Sequence, residues 1–251
     1  MNYDRIANYY DRYVKTDLDF NFFLKETAKT SGEVLELMSG TGRLSLPLIR
    51  SGVKLTCVDS SLPMLQILNH KLEKQQLSAA VIHQDICNLN LNKQFDMIIL
   101  PFHSFAELVS EADRFKTLQV INKHLSQKGR FLCPLHNPIV RLKTITNQLH
   151  LLGIYPPEAE DNTLFVWSAE NYNPHTQIVE GVQIYEEYNH DGEMLLRTFM
   201  ELKFCLFNRV QFEKLALACG FKVDCLYGDY IYSAFNEESS PVMIFELRKL
   251  I

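Results

Sequence analysis

The residues of this chain best suited to chemistry are carboxylates set around a glycine turn. Glu36 precedes the turn "SGTG", whose Gly40 and Gly42 would let the main chain approach a ligand and bend sharply. Asp59 closes the next apolar run and Asp85 the one after it. A carboxylate at a strand end can accept two hydrogen bonds from a cis-diol, so Asp59 suits a ribose. Asp85 beside Ile86 combines an acceptor with an apolar wall, which suits a flat nitrogenous ring, with Met64 placed for the ring's other face. Two histidines, His103 in "LPFHS" and His136 in "PLHNP", follow later apolar runs. An imidazole, with an ordinary pKa of about 6.5, suits proton removal at neutral pH.

These residues acquire a common edge only if particular elements position them. Val34–Leu37, 55–58, 79–83, 95–100 and 130–135 read as short apolar strands, separated by helices over about 43–51, 63–76 and 110–126. Strands alternating with helices at this spacing predict crossover units in a parallel, doubly wound sheet. In such a sheet ligands sit beyond the carboxyl ends of the strands, where the strand order reverses. The glycine turn and the three acids all fall at that edge.

The first 30 residues read as helical, with Ile6, Tyr9, Tyr10, Tyr13 and Val14 on one stripe. After Pro138 the rhythm changes. A helix is expected over 139–151, ended by "YPP", then antiparallel strands over 164–207 with a hairpin at "NHDGE". Trp167, Tyr185, Tyr188 and Arg197 of that block read as sheet packing and surface charge. A helix in "NRVQFEKLALACG" and strands in "FKVDCLY" and "VMIFELR" complete the chain. The expected organisation is a core over 1–138 and 208–251 with an N-terminal helical cap, and an inserted lid over 139–207.

Composition narrows the function. At 251 residues and 47% hydrophobic, the chain can build one sizeable core. A net charge of −5 without a long basic run argues against a nucleic-acid partner. The polar N-terminus lacks a signal-peptide core, and "MIILPF" is too short to cross a bilayer. A soluble, cytoplasmic protein with no membrane partner is expected. The six cysteines include no Cys-x-x-Cys pair and read as reduced and structural, with no metal.

Ser45 stands where a dinucleotide fingerprint requires its third glycine, and no Gly-Lys-Ser/Thr follows the turn as in a P-loop. Glu36 would repel a pyrophosphate. S-adenosylmethionine has no phosphate, and its ammonium and sulfonium groups favour nearby carboxylates. "VLELMSGTGR", "CVDSSLPML", "HQDICNL" and "FDMIILPFHS" resemble the successive cofactor motifs of class I S-adenosylmethionine-dependent methyltransferases. "LACGFKVDCLYGDY" followed by "PVMIFELRK" is similar to their terminal antiparallel strand pair, "YDRIANYYD" to their N-terminal cap, and the inserted sheet to the lid of the small-molecule N- and O-methyltransferases. One position departs: Met38 replaces the first glycine of the usual acidic-x-Gly-x-Gly-x-Gly pattern.

The resemblance implies a Rossmann-like fold with a seven-stranded, mostly parallel sheet and an antiparallel lid. It implies S-adenosylmethionine as cofactor and in-line methyl transfer to an N, O or C nucleophile of a small acceptor. The candidate cofactor contacts are Tyr10, Glu36, Met38, Gly40, Gly42, Asp59, Ser60, Met64, Asp85, Ile86 and Leu100. The candidate catalytic groups are His103, His136 and Tyr13. A non-catalytic sensor or partner subunit that binds the same cofactor, and an NAD(P)-dependent oxidoreductase, are the competing readings.

Overall fold

The computed structural model describes residues 1–157 and 162–250. Positions 158–161 of the expected lid, and 251 of the expected core, lie outside the described residues. The centre of the fold is β1 (Val34–Leu37), hydrogen-bonded in parallel to β2 (Leu55–Asp59) on one side and β4 (Phe95–Ile99) on the other. β3 (Ala80–His83) extends the sheet beyond β2, and β5 (Leu125–His136) extends it beyond β4, both in parallel. β10 (Phe221–Tyr227) and β11 (Val242–Lys249) finish the sheet as an antiparallel pair, giving the order β10-β11-β5-β4-β1-β2-β3. The chain winds outward from β1 through β2 to β3, then returns to β4 on the opposite side. The reversal between β1 and β4 opens a crevice at their carboxyl ends.

Both faces of the sheet are covered, so the central strands are apolar nearly throughout. One face packs Leu35, Leu37, Ile98, Phe131 and Phe245 against Leu118, Phe212 and Ala216 of α5 (Glu111–His124) and α7 (Arg209–Ala218). The other packs Val34, Cys57, Met97 and Ile99 against Phe22 and Phe23 of α2 (Phe20–Ala28), Leu48 of α3 (Ser45–Arg50) and Leu68 of α4 (Leu62–Lys74). Helix starts follow local chemistry. The Ser61 hydroxyl caps α4 through the Met64 amide, with Pro63 in the first turn. Asn208 and Gln211 form a reciprocal capping box on α7. All six cysteines are free, and only Cys225 is not fully buried.

A second, four-stranded antiparallel sheet runs in the order β6-β7-β8-β9, from His150–Tyr155 through Thr163–Asn173 and Ile178–Tyr188 to Met194–Cys205. Here the structure corrects one expectation. The predicted helix over 139–151 shrinks to α6 (Pro138–Leu142), capped by Asn137, and β6 takes up the apolar residues that follow. Those residues carry a period that fits a helix, but β7 offers Leu151 and Ile154 a strand partner, with a bulge at Leu152.

The N-terminal segment joins the two sheets. Its 3-10 turn (Tyr3–Ile6) and α1 (Ala7–Tyr13) place Ile6, Ala7 and four tyrosines against Met64 of α4 and Leu164, Tyr185, Met200 and Leu202 of the second sheet. Polar contacts fix this roof. Asp11 takes the Thr41 hydroxyl at 2.6 Å and the Lys71 ammonium at 2.5 Å, Asp4 takes the Ser61 hydroxyl at 2.6 Å, and Arg12 pairs with Glu187. Arg43 forks onto both oxygens of buried Asp19 at 2.6 Å.

Candidate active site

The crevice at the switch point holds a cavity of about 440 Å³, within the size range of small-ligand sites. Its walls include Tyr10, Met38, Gly40, Asp59, Ser60, Met64, Asp85 and Ile86, eight of the predicted cofactor contacts. They come from the ends of β1, β2 and β3 and from the roof, so the winding of the sheet collects residues spread over 77 positions of sequence. Asp59 organises the floor. Its Oδ2 accepts the Gly40 N–H and its Oδ1 the Ser61 N–H, each at 2.8 Å. The carboxylate thereby pins the glycine turn to the end of β2 and keeps unused lone pairs for a diol. Burial raises its pKa, while the Ser61 and Gly40 amides pull it back down. Asp85 caps a short 3-10 turn through the Cys87 amide.

Met38 does not block the bend. Its backbone takes the left-handed conformation, φ +54°, that glycine would supply at this place, at a cost of roughly 1–2 kcal/mol. Its side chain lines the cavity and leans on the core cluster. Gly40 is also left-handed, and a Cβ built there meets no protein atom within 4 Å. That open cradle at the mouth of the turn fits a ligand lying against the main chain.

Glu36, Gly42 and Leu100 sit behind this wall. Glu36 is buried, with its Oε2 taking the Ser45 hydroxyl at 2.6 Å. Burial raises its pKa to about 8, against the opposing pull of Ser45 and Arg43, so the carboxyl is mostly protonated at neutral pH. It therefore does not repel a pyrophosphate by charge, and that argument against a dinucleotide falls. The Ser45 that replaces the third glycine is also the residue that holds Glu36. Gly42 has φ +85° and faces Leu68, whose Cδ1 would stand 2.4 Å from an added Cβ. Leu100 is fully buried in the core.

A second cavity, of about 270 Å³, lies next to the first and shares Tyr3, Tyr10, Phe102 and Glu107 with it. Tyr13, His103 and His136 all line it, with Arg141, Glu170 and Gln183 from the segment after Pro138. The histidines, 33 positions apart in sequence, stack with ring centroids 3.9 Å apart. Burial drives both pKa values down, His103 to about 4 against the pull of Asp19; Arg141 lowers both further, and His103 adds to the lowering of His136. Both are neutral at pH 7. His103 is held in a left-handed backbone conformation directly after another left-handed residue, Phe102, and its buried Nδ1 has no hydrogen-bond partner among the described residues. The Tyr13 hydroxyl stands 3.1 Å from that of Tyr185, which lies 2.7 Å from Gln183 Oε1. Burial raises the pKa of Tyr10 and Tyr13, so both remain hydroxyl donors.

The site also contains residues that sequence reasoning missed. Tyr3 and Glu107 join through a 2.9 Å hydrogen bond, and Phe102 lies under the Arg43 guanidinium at 4.5 Å. The four N-terminal tyrosines were a visible signal for Tyr3. Nothing in the sequence marks Glu107, and only the turn after β4 (Ser104–Glu107) brings it inward.

Residues 34–129, the span from β1 into β5, match the methyltransferase-domain family. Those residues form a methyltransferase domain. A glycine/sarcosine N-methyltransferase of Aphanothece halophytica is 30% identical over 139 residues, covering 54% of this chain and 51% of the relative. The fold matches the CcbJ methyltransferase of Streptomyces caelestis with a TM-score of 0.83 at 20% identity, over 99% and 97% of the two chains. It matches the sugar N-methyltransferase KedS8 of Streptoalloteichus sp. with a TM-score of 0.76 at 16% identity, over 100% and 94%. The methyltransferase fold therefore includes the second sheet as well as the cofactor core. The oxidoreductase reading is set aside by the family match, and no helix among the described residues is long and apolar enough to cross a membrane.

Proposed function

We propose that the protein methylates an amine nitrogen of a small polar molecule. The cofactor occupies the larger cavity, with Asp59 on the ribose diol, Asp85, Ile86 and Met64 around the adenine, and Met38, Gly40, Ser60 and Tyr10 along its length. Glu36, Gly42 and Leu100 support that cavity from behind. The acceptor occupies the smaller cavity under a lid formed by 139–207, which excludes water and completes the pocket. When bound, S-adenosylmethionine supplies a methyl group already activated by a sulfonium.

The weak basicity of buried His103 carries the choice of nitrogen, and its Nδ1, unpartnered among the described residues, marks where a polar group of the acceptor sits. A buried ring nitrogen without a partner is costly, and a bound molecule would satisfy it with an N–H or O–H in one tautomer, or with a lone pair in the other. With a pKa of about 4, His103 is a poor base for a hydroxyl. Taking a proton from an alcohol, whose pKa is close to that of water, would be uphill by about 12 pK units, or about 16 kcal/mol. A neutral amine needs no such step, since its lone pair is already free. His103 then orients the nucleophile, His136 backs its ring, and Tyr13, whose proton goes to Tyr185, offers its oxygen lone pair to a donor of the acceptor. Positioning of this kind can lower a barrier by roughly 7–11 kcal/mol. The N-methyltransferases among the related proteins support the same reading.

The test is transfer of a labelled methyl group from S-adenosylmethionine to paired probes: glycine, 2-aminoethanol and glucosamine, against glycolate, ethylene glycol and glucose. Label is expected in amines only. Label confined to the hydroxyl compounds would overturn the proposal.

A further inference from the structure

We infer that Glu107 is the carboxylate that receives the acceptor's ammonium group and takes its proton before methyl transfer. The inference rests on the amine reading above. An aliphatic amine reaches an enzyme at neutral pH mostly as an ammonium ion, which has no lone pair to attack with. Some group must therefore hold the cation and remove a proton where the two cavities meet.

Glu107 stands at that junction, lining both cavities. Its Oε1 accepts the Tyr3 hydroxyl at 2.9 Å, and Tyr3 is its only hydrogen-bond donor among the described residues. The carboxylate is thus fixed in place with acceptor capacity left over. The groups facing it are Tyr3, Tyr10 and Tyr13 from the roof, Asp59 from the end of β2 and the Met1 amino group. His103, on the same loop, is neutral at pH 7. Arg141, the guanidinium on the wall of the second cavity, is paired with Glu170.

The proton step balances without any further reactant. An N–H bond of the ammonium breaks, its electron pair stays on nitrogen, and an O–H bond forms on Glu107. The proton leaves to solvent when product departs. Burial raises the Glu107 pKa to about 7, with Tyr3 and the Met1 amino group opposing the rise and Asp59 adding to it. Against His103 at about 4, Glu107 is the stronger base by about a thousandfold.

Glu107→Gln keeps the volume and an acceptor for Tyr3 but removes the charge. Losing both the charge-assisted contact and the proton acceptor should lower kcat/KM for the amine about 10- to 100-fold, with KM raised and kcat lowered. The wild-type rate should fall as pH drops below about 7, where Glu107 protonates, and the variant should lack that limb. A second measurement needs no turnover. The complex with S-adenosylhomocysteine, carrying carboxyl-labelled glutamate, is titrated with methylammonium chloride and followed by carbon NMR. One resonance, absent from Glu107→Gln, should shift saturably, and its pKa should fall as the cation binds. If amines are methylated but that resonance does not respond, or the variant keeps the wild-type KM and pH profile, the role of Glu107 is wrong and the amine reading stands. Methylation of hydroxyl compounds alone would remove both.

Discussion

Replacing Asp59 with alanine probes the joint on which the cofactor cavity is built. The carboxylate accepts two backbone amides, from Gly40 and Ser61, and is proposed to accept two ribose hydroxyls with its remaining lone pairs. A hydrogen bond to a charged acceptor contributes about 1.5–3 kcal/mol. Losing both ribose contacts at the lower figure costs about 3 kcal/mol, which weakens S-adenosylhomocysteine binding roughly 100-fold or more. The two amides are lost as well. Asp59 is only half-buried, so water can reach them, and the stability loss should be about 1–3 kcal/mol. For a domain of this size that lowers Tm by about 2–12 °C. The fold should therefore survive but not unchanged, because the side chain is a structural tie as well as a ligand contact. Asp59→Asn should not rescue it, since one oxygen becomes an NH2 facing an amide donor. Calorimetric titration at 25 °C, with thermal unfolding of the same samples, separates the two effects. An affinity within threefold of wild type in folded Asp59→Ala would refute the placement of the ribose.

The two glycines of the turn should behave oppositely on substitution. Gly40→Ala meets open space and should cost about 1 kcal/mol of backbone strain while blocking cofactor approach, whereas Gly42→Ala should mainly destabilise, because its Cβ collides with Leu68. Equal losses of Tm and of S-adenosylhomocysteine affinity in the two variants would contradict this. The pH dependence of stability should expose Glu36. Its folded pKa of about 8 exceeds its ordinary value, so its contribution is fully present below about pH 4.5 and is lost as pH rises to about 8. Glu36→Gln does not titrate, so its stability should gain on wild type by about 3–5 kcal/mol between those limits. Urea unfolding at pH 5 and pH 8.5 measures the difference, and a gap that does not change with pH would show that Glu36 is ionised in the fold.

Much of the core was legible because its signals are local. A strand buried on both faces must be apolar along its length, and β1, β2 and β4 read that way. A turn that must go left-handed favours glycine, and an acid at each strand end marks the ligand edge. Those constraints act on neighbouring residues, so the sequence by itself determined the winding of the sheet, the position of the glycine turn and the wall carrying Asp59, Asp85 and Met64. The rest depends on distance in space. The helix read over 139–151 ends at Leu142, and β6, which that reading reached only at His150 and Leu151, is fixed by its pairing with β7. Glu36 looked like a charged contact, but its depth and its bond to Ser45 make it a buried neutral group, and no feature of "VLEL" states a depth. His103 and His136 were visible as separate loop residues. Their stacking, their low pKa values and the unpartnered Nδ1 arise only when the loop after β4 and the end of β5 meet beneath a roof of tyrosines. Desolvation and contact are properties of the packed chain, set by what surrounds a residue from every side, and tertiary structure alone supplies those surroundings.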